Sequence, residues 1–243
     1  MAVDVTDHDR VRLVVINRPE RRNAVDDDAL GELGDAVESA RSADVRVLVL
    51  AGAGGHFCAG ADLTGVEDEQ FATVLRGVLL ALRDAPVPTI AAVEGAALGA
   101  GTQLAVACDL RTATADASFG IPAAKLGLMV DHWTVQRLAA IAGHGAARAM
   151  LLAADVLSGT DAHRLGLVQR LCPVADAADW ATEIAALAPL TIEGHKLMLN
   201  RLDPPLPAAP DVAEAFSRAW QSEDFREGLS AFRERRRPRF GGR

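Results

Sequence analysis

Residues 94–104 read Glu94-Gly95-Ala96-Ala97-Leu98-Gly99-Ala100-Gly101-Thr102-Gln103-Leu104, directly after an apolar run that is typical of a buried strand. Residues 52–63 follow a second such run and read Gly52-Ala53-Gly54-Gly55-His56-Phe57-Cys58-Ala59-Gly60-Ala61-Asp62-Leu63. Residues this small let a ligand approach the main chain closely, and glycine tolerates the φ angles that tight turns require. Two such surfaces on one scaffold can present backbone N–H groups to one polarised oxygen. The pair therefore predicts an anion-stabilising site built from peptide groups.

Other meanings of a glycine-rich segment find little support in the surrounding residues. A dinucleotide-binding fingerprint needs glycines directly after the first strand, but that strand leads into Asn17-Arg18-Pro19-Glu20. The sequence contains no Gly-Lys-Ser/Thr triplet and no G-x-S-x-G, which removes the phosphate-binding loop and the usual hydrolase turn. The six histidines form no metal-binding motif, so no metal is expected. The alternative that stays open is a structural one, in which these glycines serve tight turns and close helix–strand packing.

The order of apolar patterns predicts an α/β fold. Runs rich in Val, Leu and Ile predict strands at residues 11–16, 45–50, 89–93, 109–114 and 166–171. Three- and four-residue spacing predicts helices at residues 27–41, 71–84, 135–141, 146–152, 180–188, 192–202, 212–221 and 225–236. We therefore expect an α/β core over residues 1–200, with a sheet buried on both faces, and a helical C-terminal segment over residues 201–243. Prolines separate the helices expected at residues 192–202 and 212–221, and the C-terminal segment is expected to pack on the core or on a neighbouring subunit.

Composition narrows the class of protein. The 243 residues are 50% hydrophobic and 24% charged with a net charge of −8, which suits a globular protein and argues against nucleic-acid binding. The tail over residues 226–243 is nevertheless basic, and either a solvated helix end or a contact with a ligand phosphate or a neighbouring subunit would explain it. Three scattered cysteines predict buried reduced thiols. With no signal peptide and no membrane span recognisable, we expect a cytoplasmic protein.

Four ordered segments resemble the crotonase superfamily, also called the enoyl-CoA hydratase/isomerase family. They are residues 17–24, 57–63, 95–101 and 225–232, followed by the Arg-rich tail. The resemblance implies a crotonase-type spiral of ββα units with a helical C-terminal trimerisation segment, assembled as a homotrimer or a dimer of trimers. It also implies a fatty acyl-CoA thioester ligand and no separate cofactor, since the coenzyme A moiety arrives as part of the ligand.

The same resemblance assigns roles to residues of the two glycine-rich segments. The thioester carbonyl would sit between the N–H groups of Ala61 and Ala100, each worth about 3 kcal/mol to a developing enolate. The main chain around Ala24, Ala59 and Asp62 would hold the adenine end of coenzyme A. The further substrate-binding residues are Leu63, which closes the motif, and Arg22, whose guanidinium would meet a phosphate or else be an ordinary surface arginine.

The chain departs from the family pattern at both hydratase glutamates, because Gln103 and Ala123 stand at those positions. A glutamine amide can hold a water by hydrogen bonds but cannot accept its proton, and alanine does neither. We therefore expect a protein that binds fatty acyl-CoA or enoyl-CoA and is weakly active or inactive as a hydratase. Two alternatives stay open, an enoyl-CoA isomerase and a hydratase with a non-standard catalytic group.

Asp131 is the candidate acid/base, because it matches an aspartate that dienoyl-CoA isomerases of the family use. It also matches the nucleophile of the family's aryl-CoA dehalogenases. Those enzymes also need a histidine base before the second glycine-rich segment, and residues 57–130 contain no histidine. A plain helix N-cap is the structural alternative for Asp131, and a substrate contact is the third. Next to it, His132 and Trp133 replace a more usual Gly-Gly, so Trp133 would either line the acyl cavity or serve packing alone.

Overall fold

The computed structural model describes residues 1–41, 44–64, 69–202 and 210–243. The strands within these residues are β1 Val3–His8, β2 Val11–Ile16, β3 Val47–Gly52, β4 Thr89–Val93, β5 Ala96–Leu98, β6 Leu110–Ala113, β7 Ser118–Gly120, β8 Val156–Ser158 and β9 Arg170–Leu171. The helices are α1 Asp27–Ser39, α2 Gln70–Asp84, α3 Ala100–Ala107, α4 His132–Leu152, α5 Gly159–Arg164, α6 Val174–Ala185, α7 Pro189–Asn200, α8 Pro210–Trp220 and α9 Glu223–Arg233. Two short 3-10 turns span Pro19–Arg21 and Pro122–Leu126.

The main sheet has six strands in the order β1-β2-β3-β4-β6-β9. Strands β1 and β2 form an antiparallel hairpin, and the other neighbours are parallel. Parallel neighbours need long crossovers, which α1, α2 and α3 supply in turn. A smaller sheet has the order β5-β7-β8. The α/β class predicted from the alternation of strands and helices is confirmed.

The central strands are buried on both faces, as predicted for a sheet of this kind. In β3, Leu48 and Leu50 belong to the same buried cluster as Leu33 of α1. The intervening Val47 and Val49 belong to a second cluster, to which α6 contributes its buried alanines. Alternate residues of a strand point to opposite faces, so this division places α1 and α6 on opposite sides of the sheet. A strand with two apolar faces reads as a continuous apolar run, which is why the sequence revealed it.

Several elements differ from the sequence-based expectation for local reasons. Strand β1 was not predicted, because its residues 4–8 are exposed and, apart from Val5, polar, and only Val3 is buried. The strand expected at residues 166–171 begins late, since Gly166 has a φ of 81° in a turn and only Arg170–Leu171 pairs with β6. The two helices expected at residues 135–141 and 146–152 lie in α4, which is interrupted between them by the non-helical Gly143.

The C-terminal helices lie against the core of the same chain. The indole Nε1 of Trp220, at the end of α8, donates a 3.0 Å hydrogen bond to the carbonyl of Met129. Helix α9 crosses the turn at Pro122–Leu126 so closely that a Cβ on Gly228 would lie 2.3 Å from the carbonyl oxygen of Leu126. Helix α7 ends at Asn200, and the division into segments 1–200 and 201–243 stays a prediction. Residues 203–209, with three of the prolines, lie outside the described part. None of the described helices has the length and apolar character that a membrane crossing requires.

Candidate functional site

The two glycine-rich segments lie side by side. The N–H of Phe57 donates to the carbonyl of Glu94 at 2.8 Å, and the N–H of Cys58 donates to Ala96 at 2.8 Å. In return, the N–H of Leu98 donates to the carbonyl of Cys58 at 3.0 Å. These bonds form a short parallel pairing that continues into β5. The chain after Cys58 and the chain after Leu98 therefore leave the pairing next to each other.

Glycine is required at the two positions where these segments turn. Gly60 has a φ of 119° and Gly99 a φ of 54°, both in the region that side chains rarely adopt. A Cβ on Gly60 would lie 3.1 Å from the carbonyl oxygen of Leu98, and a Cβ on Gly99 would lie 3.8 Å from the Cα of Gly60. Because each glycine directly precedes one predicted donor, their conformations set the directions of the N–H groups of Ala61 and Ala100.

Both predicted donors lack an internal acceptor in the described part of the chain. The N–H of Val25 donates to the carbonyl of Gly60 at 2.9 Å, and the N–H of Asp62 donates to the carbonyl of Val25 at 2.7 Å. In an extended segment, alternate N–H groups point to opposite edges, so the N–H of Ala61 points away from Val25. Ala100 begins α3, and the first N–H groups of a helix have no partner within it. The helix dipole adds partial positive charge at the same place. Two unpaired N–H groups of this kind can stabilise a developing oxyanion.

A cavity of about 340 Å³ opens beside these donors, and both Ala61 and Ala100 line it. Its walls are mostly apolar and come from the core and from α8 and α9, notably Leu63, Phe71, Leu75, Phe216, Trp220 and Phe232. Such a cavity suits an apolar chain attached to a polar group that is held at the donors. The aromatic wall from α8 was not predicted, although the four-residue spacing of Phe216 and Trp220 on an amphipathic helix gave a usable signal.

Few polar side chains line the cavity. Among the described lining residues, only Lys125 and Asp131 have titratable side chains, and Gln103 contributes an amide. Ala123, from the turn at Pro122–Leu126, lines the same cavity. The structure therefore brings Gln103, Ala123 and Asp131 into one cavity with the two backbone donors.

Asp131 caps helix α4 and also lines the cavity. Its Oδ1 accepts the N–H of Thr134 at 3.2 Å, and its Oδ2 accepts the hydroxyl of the same residue. The hydroxyl oxygen of Thr134 also lies 3.2 Å from Oε1 of Gln103. The helix cap expected as one alternative is thus present. Substrate contact and catalysis by Asp131 stay predictions.

Trp133 lies outside the cavity lining. Its ring is 1% exposed and packs in the main core, with the guanidinium of Arg83 at 5.9 Å from the ring centroid. The large side chain that the sequence put forward as a possible cavity wall therefore faces the core at this position. Aromatic residues of α2, α8 and α9 line the cavity instead.

The N–H groups of Ala61 and Ala100 form a candidate oxyanion hole, called the hole below. The residues predicted to hold the adenine end of coenzyme A lie on one flank of it. The N–H of Ala59 donates to the carbonyl of Arg22 at 3.0 Å, which ties the two segments together. Arg22 is exposed, with a φ of 51°, and Ala24 is half-buried. Ala59 also lines the cavity. The coenzyme role of these residues stays a prediction.

Asp62 is buried on the same flank and is held by its own chain. Its carboxylate lies 2.7 Å from the guanidinium of Arg21 and 3.3 Å from that of Arg18, and it accepts the hydroxyl of Thr64 at 2.7 Å. Burial raises its pKa, but the hydrogen bonds from Thr64 and the charges of Arg21 and Arg18 outweigh burial, so that the pKa lies below its usual value. A carboxylate held in this way organises the loop beside the hole.

The thiols contribute no nucleophile to the cavity. Cys58 lies directly behind the hole, and burial raises its pKa to about 12. Cys108 is buried too, and burial raises its pKa to about 12. Both thiols are therefore protonated at neutral pH. The prediction of buried free thiols is confirmed for these two cysteines, while Cys172 is half-buried. Within the described residues, His, Cys, Asp and Glu form no cluster of three that could hold a metal.

These features define a class: an α/β protein with a pair of backbone donors at one side of an apolar cavity. Residues 6–243 match the family model described as enoyl-CoA hydratase/isomerase. A relative named "Probable enoyl-CoA hydratase echA6", from Mycobacterium tuberculosis, is 42% identical over 244 residues, which cover 99% of this chain and 99% of the relative. The chain belongs to the enoyl-CoA hydratase/isomerase family, the crotonase superfamily.

Solved structures agree with this assignment. An enoyl-CoA hydratase from Mycobacterium avium subsp. paratuberculosis superposes with a TM-score of 0.86 at 29% identity, covering 99% of each chain. A methylmalonyl-CoA decarboxylase superposes with a TM-score of 0.90 at 24% identity, covering 100% of this chain and 99% of the other. The second likeness concerns the fold alone, which is the crotonase-type fold expected from the sequence.

Proposed function

We propose that this protein binds fatty acyl-CoA or enoyl-CoA thioesters and is weakly active or inactive as an enoyl-CoA hydratase. The thioester carbonyl would accept hydrogen bonds from the N–H groups of Ala61 and Ala100, with the acyl chain in the apolar cavity. The support for binding is the family together with the two unpaired donors beside that cavity. Such a hole holds a polarised carbonyl whether or not chemistry follows.

One observation carries the low-activity part of the proposal. Of the described residues lining the cavity, Asp131 alone carries a carboxylate, and both of its oxygens accept hydrogen bonds from Thr134. Addition of water across a double bond needs one group to take a proton from the water and one to deliver a proton to carbon. Gln103 and Ala123, at the positions of the family's glutamates, supply neither.

Two alternatives to a weakly active or inactive hydratase stay open. Asp131 lines the cavity, so a proton shuttle through it would make the protein an enoyl-CoA isomerase. A hydratase with a non-standard catalytic group is the third possibility. The coenzyme A part of the ligand would be held by Arg22, Ala24, Ala59 and Asp62. As in other members of the family, the protein would assemble as a homotrimer or a dimer of trimers.

The test begins with the wild-type protein. Calorimetry with saturated acyl-CoA measures binding, while separate assays follow hydration of enoyl-CoA, double-bond shift and α-proton exchange in heavy water. The expected result is binding with little or no turnover. Absence of binding would overturn the thioester assignment, and robust hydration that survives Asp131→Asn would overturn both the low-activity proposal and the role of Asp131. A double-bond shift that is lost in Asp131→Asn would favour the isomerase.

A gain-of-function variant tests the reason given for low activity. If the hole is intact and only the proton-transfer groups are missing, Gln103→Glu combined with Ala123→Glu is expected to raise hydration at least about 100-fold, within the usual contribution of general acid–base catalysis. The matched control is Gln103→Met with Ala123→Met, which adds similar bulk without a carboxyl group and should leave hydration at the wild-type level. Equal activity of the two variants would contradict the explanation.

A further inference from the structure

Thr134 joins Asp131 and Gln103, two of the polar side chains that line the cavity, without lining the cavity itself. It is fully buried, in the first turn of α4. Its hydroxyl contacts Oδ2 of Asp131 and lies 3.2 Å from Oε1 of the Gln103 amide. Gln103 is also buried, at 7% exposure, and lines the cavity. The three residues therefore form one hydrogen-bonded chain that ends at the ligand space.

The single hydrogen of the Thr134 hydroxyl decides which group donates and which accepts along this chain of hydrogen bonds. A threonine hydroxyl has a single hydrogen, and an ionised carboxylate accepts hydrogen bonds but donates none. The hydroxyl hydrogen of Thr134 therefore points to Asp131, whose other oxygen already accepts the N–H of Thr134. Towards Gln103 the hydroxyl can then act only as an acceptor. The structure places Oε1 of Gln103 towards Thr134, where it would face a second acceptor. Because the oxygen and nitrogen of a side-chain amide have nearly the same shape, the hydrogen count assigns the amide turned over by 180°, which presents its NH₂ group to Thr134.

We infer that Thr134 is a positioning residue, which turns the carbonyl oxygen of the Gln103 amide towards the ligand and so makes the cavity select acyl chains that carry a hydrogen-bond donor. Nothing else in the described part of the chain contacts the far end of that amide by a hydrogen bond. The inference rests on the proposed function, because it takes the thioester carbonyl to lie at Ala61 and Ala100.

The spacing along α3 identifies which part of the acyl chain is selected. Ala100 and Gln103 lie three residues apart on the same face of the helix, where side chains begin about 5–6 Å apart. A carbonyl held at the N–H of Ala100 therefore puts the third carbon of the acyl chain within reach of the amide. A 3-hydroxyl group can donate to the carbonyl oxygen of Gln103. A 3-oxo group, which only accepts, would face another acceptor.

The experiment compares three CoA thioesters of equal length by calorimetry: octanoyl-CoA, 3-hydroxyoctanoyl-CoA and 3-oxooctanoyl-CoA. The wild-type protein is expected to bind the hydroxy ligand about tenfold more tightly than the oxo ligand, a difference of about 1.4 kcal/mol. In Thr134→Val, which keeps the shape but removes the hydroxyl, the amide is free to turn and this ratio should fall to about 1, while Thr134→Ser should restore it. A purely structural role of Thr134 would weaken all three ligands together and leave the ratio unchanged.

The outcomes separate the inference from the proposed function. If octanoyl-CoA binds but the wild-type ratio is about 1 or favours the oxo ligand, the orientation assigned to Gln103 is wrong while thioester binding stands. If none of the three ligands binds, the proposed function itself fails. Should Thr134→Val not fold, Gln103→Met removes the same amide without touching the helix cap, and a ratio that persists in this variant would overturn the inference.

Discussion

The two ends of the cavity are built in different ways. The hole end, residues 57–61 and 96–101, is held by backbone hydrogen bonds and by glycines whose Cα atoms approach other main chain. The helical end, formed by the turn at Pro122–Leu126 with α8 and α9, is held by apolar side chains together with hydrogen bonds from the Trp220 indole to Met129 and from Arg233 to Leu63. Main-chain geometry depends on few side chains, whereas a packed wall changes with each of them. We therefore expect the hole end to determine whether a thioester is held and the helical end to determine which acyl chain is preferred.

The largest effect is expected when the hole end is broken. A Cβ on Gly101 would lie 2.0 Å from the carbonyl oxygen of Cys58 and 2.9 Å from its carbonyl carbon, so Gly101→Ala forces the two segments apart. We expect the free energy of unfolding to fall by about 3 kcal/mol, at the upper end of ordinary overpacking, and acyl-CoA binding to be lost. Urea unfolding and calorimetry measure the two effects.

Gly31→Ala is the control for this variant. Gly31 is exposed in α1, and no heavy atom lies within 4 Å of the Cβ that alanine would add. Its replacement is expected to raise the free energy of unfolding by about 0.5–1 kcal/mol through helix propensity. If the two variants were equally stable, the close approach at Gly101 would not be what holds the hole together.

Breaking the helical end should have a smaller and more selective effect. A Cβ on Gly228 would lie 2.3 Å from the carbonyl oxygen of Leu126, but α9 can move away as a unit, so Gly228→Ala is expected to cost about 1–2 kcal/mol. Because α9 contributes Phe232 to the cavity, affinity for long-chain acyl-CoA should fall about tenfold, equivalent to about 1.4 kcal/mol. Short-chain acyl-CoA should bind nearly as before.

A chain-length series by calorimetry on Gly228→Ala and on the control Gly145→Ala measures this difference. Gly145 lies in α4 with nothing within 4 Å of its added Cβ. Equal losses for short and long chains in Gly228→Ala would contradict the division of roles between the two ends of the cavity.

The sequence predicted the hole end far better than the helical end, for a physical reason. Glycines at a close approach and buried strands leave short contiguous patterns, so residues 57–63 and 95–101 carried the family resemblance, which implied the fold and the two donors. The wall depends on contacts between distant residues, such as Trp220 with Met129, which no local pattern displays. Periodicity predicted α8 and α9 as helices but not which face would meet the cavity. In the same way, the replacement of a usual Gly-Gly by His132-Trp133 left open whether Trp133 lines the cavity or serves packing alone, and its ring lies in the core.

The flank of the hole offers a pH-dependent test of moderate size. The folded-state pKa of Asp62 lies below its usual value, so its contribution is fully present above the unfolded-state pKa of about 3.9 and is lost as the pH falls through the lower folded value. At pH 7, Asp62→Asn is expected to lower the free energy of unfolding by about 1–2 kcal/mol.

Urea unfolding from pH 7 down to pH 3 checks the Asp62 prediction, with Asp179→Asn on the exposed face of α6 as control. The deficit of Asp62→Asn relative to wild type should shrink as the pH falls below about 4, because the carboxyl group of the unfolded wild-type chain then takes up a proton, while that of the folded chain, whose pKa is lower, does so only at lower pH. A deficit that stayed constant down to pH 3 would mean that the carboxylate does not stabilise this flank through Arg21 and Arg18.

The smallest effect concerns the basic tail behind the helical end. Arg236 pairs with both oxygens of Glu227, and the N–H of Arg239 donates to the same carboxylate at 2.8 Å. The hydrogen bond from Arg236 and that from the Arg239 backbone lower the pKa of Glu227 to about 2. An NMR titration should therefore find Glu227 charged at pH 3, and Arg236→Gln should move its midpoint towards the ordinary value of about 4.3. The ion pair between Arg236 and Glu227 is complete above a pH of about 4.3 and is lost as the pH falls through about 2, as expected for a carboxyl group whose pKa its partners lower. A wild-type midpoint near 4.3 would show that the tail does not fold back on α9, which would leave its arginines free for a ligand phosphate or a neighbouring subunit.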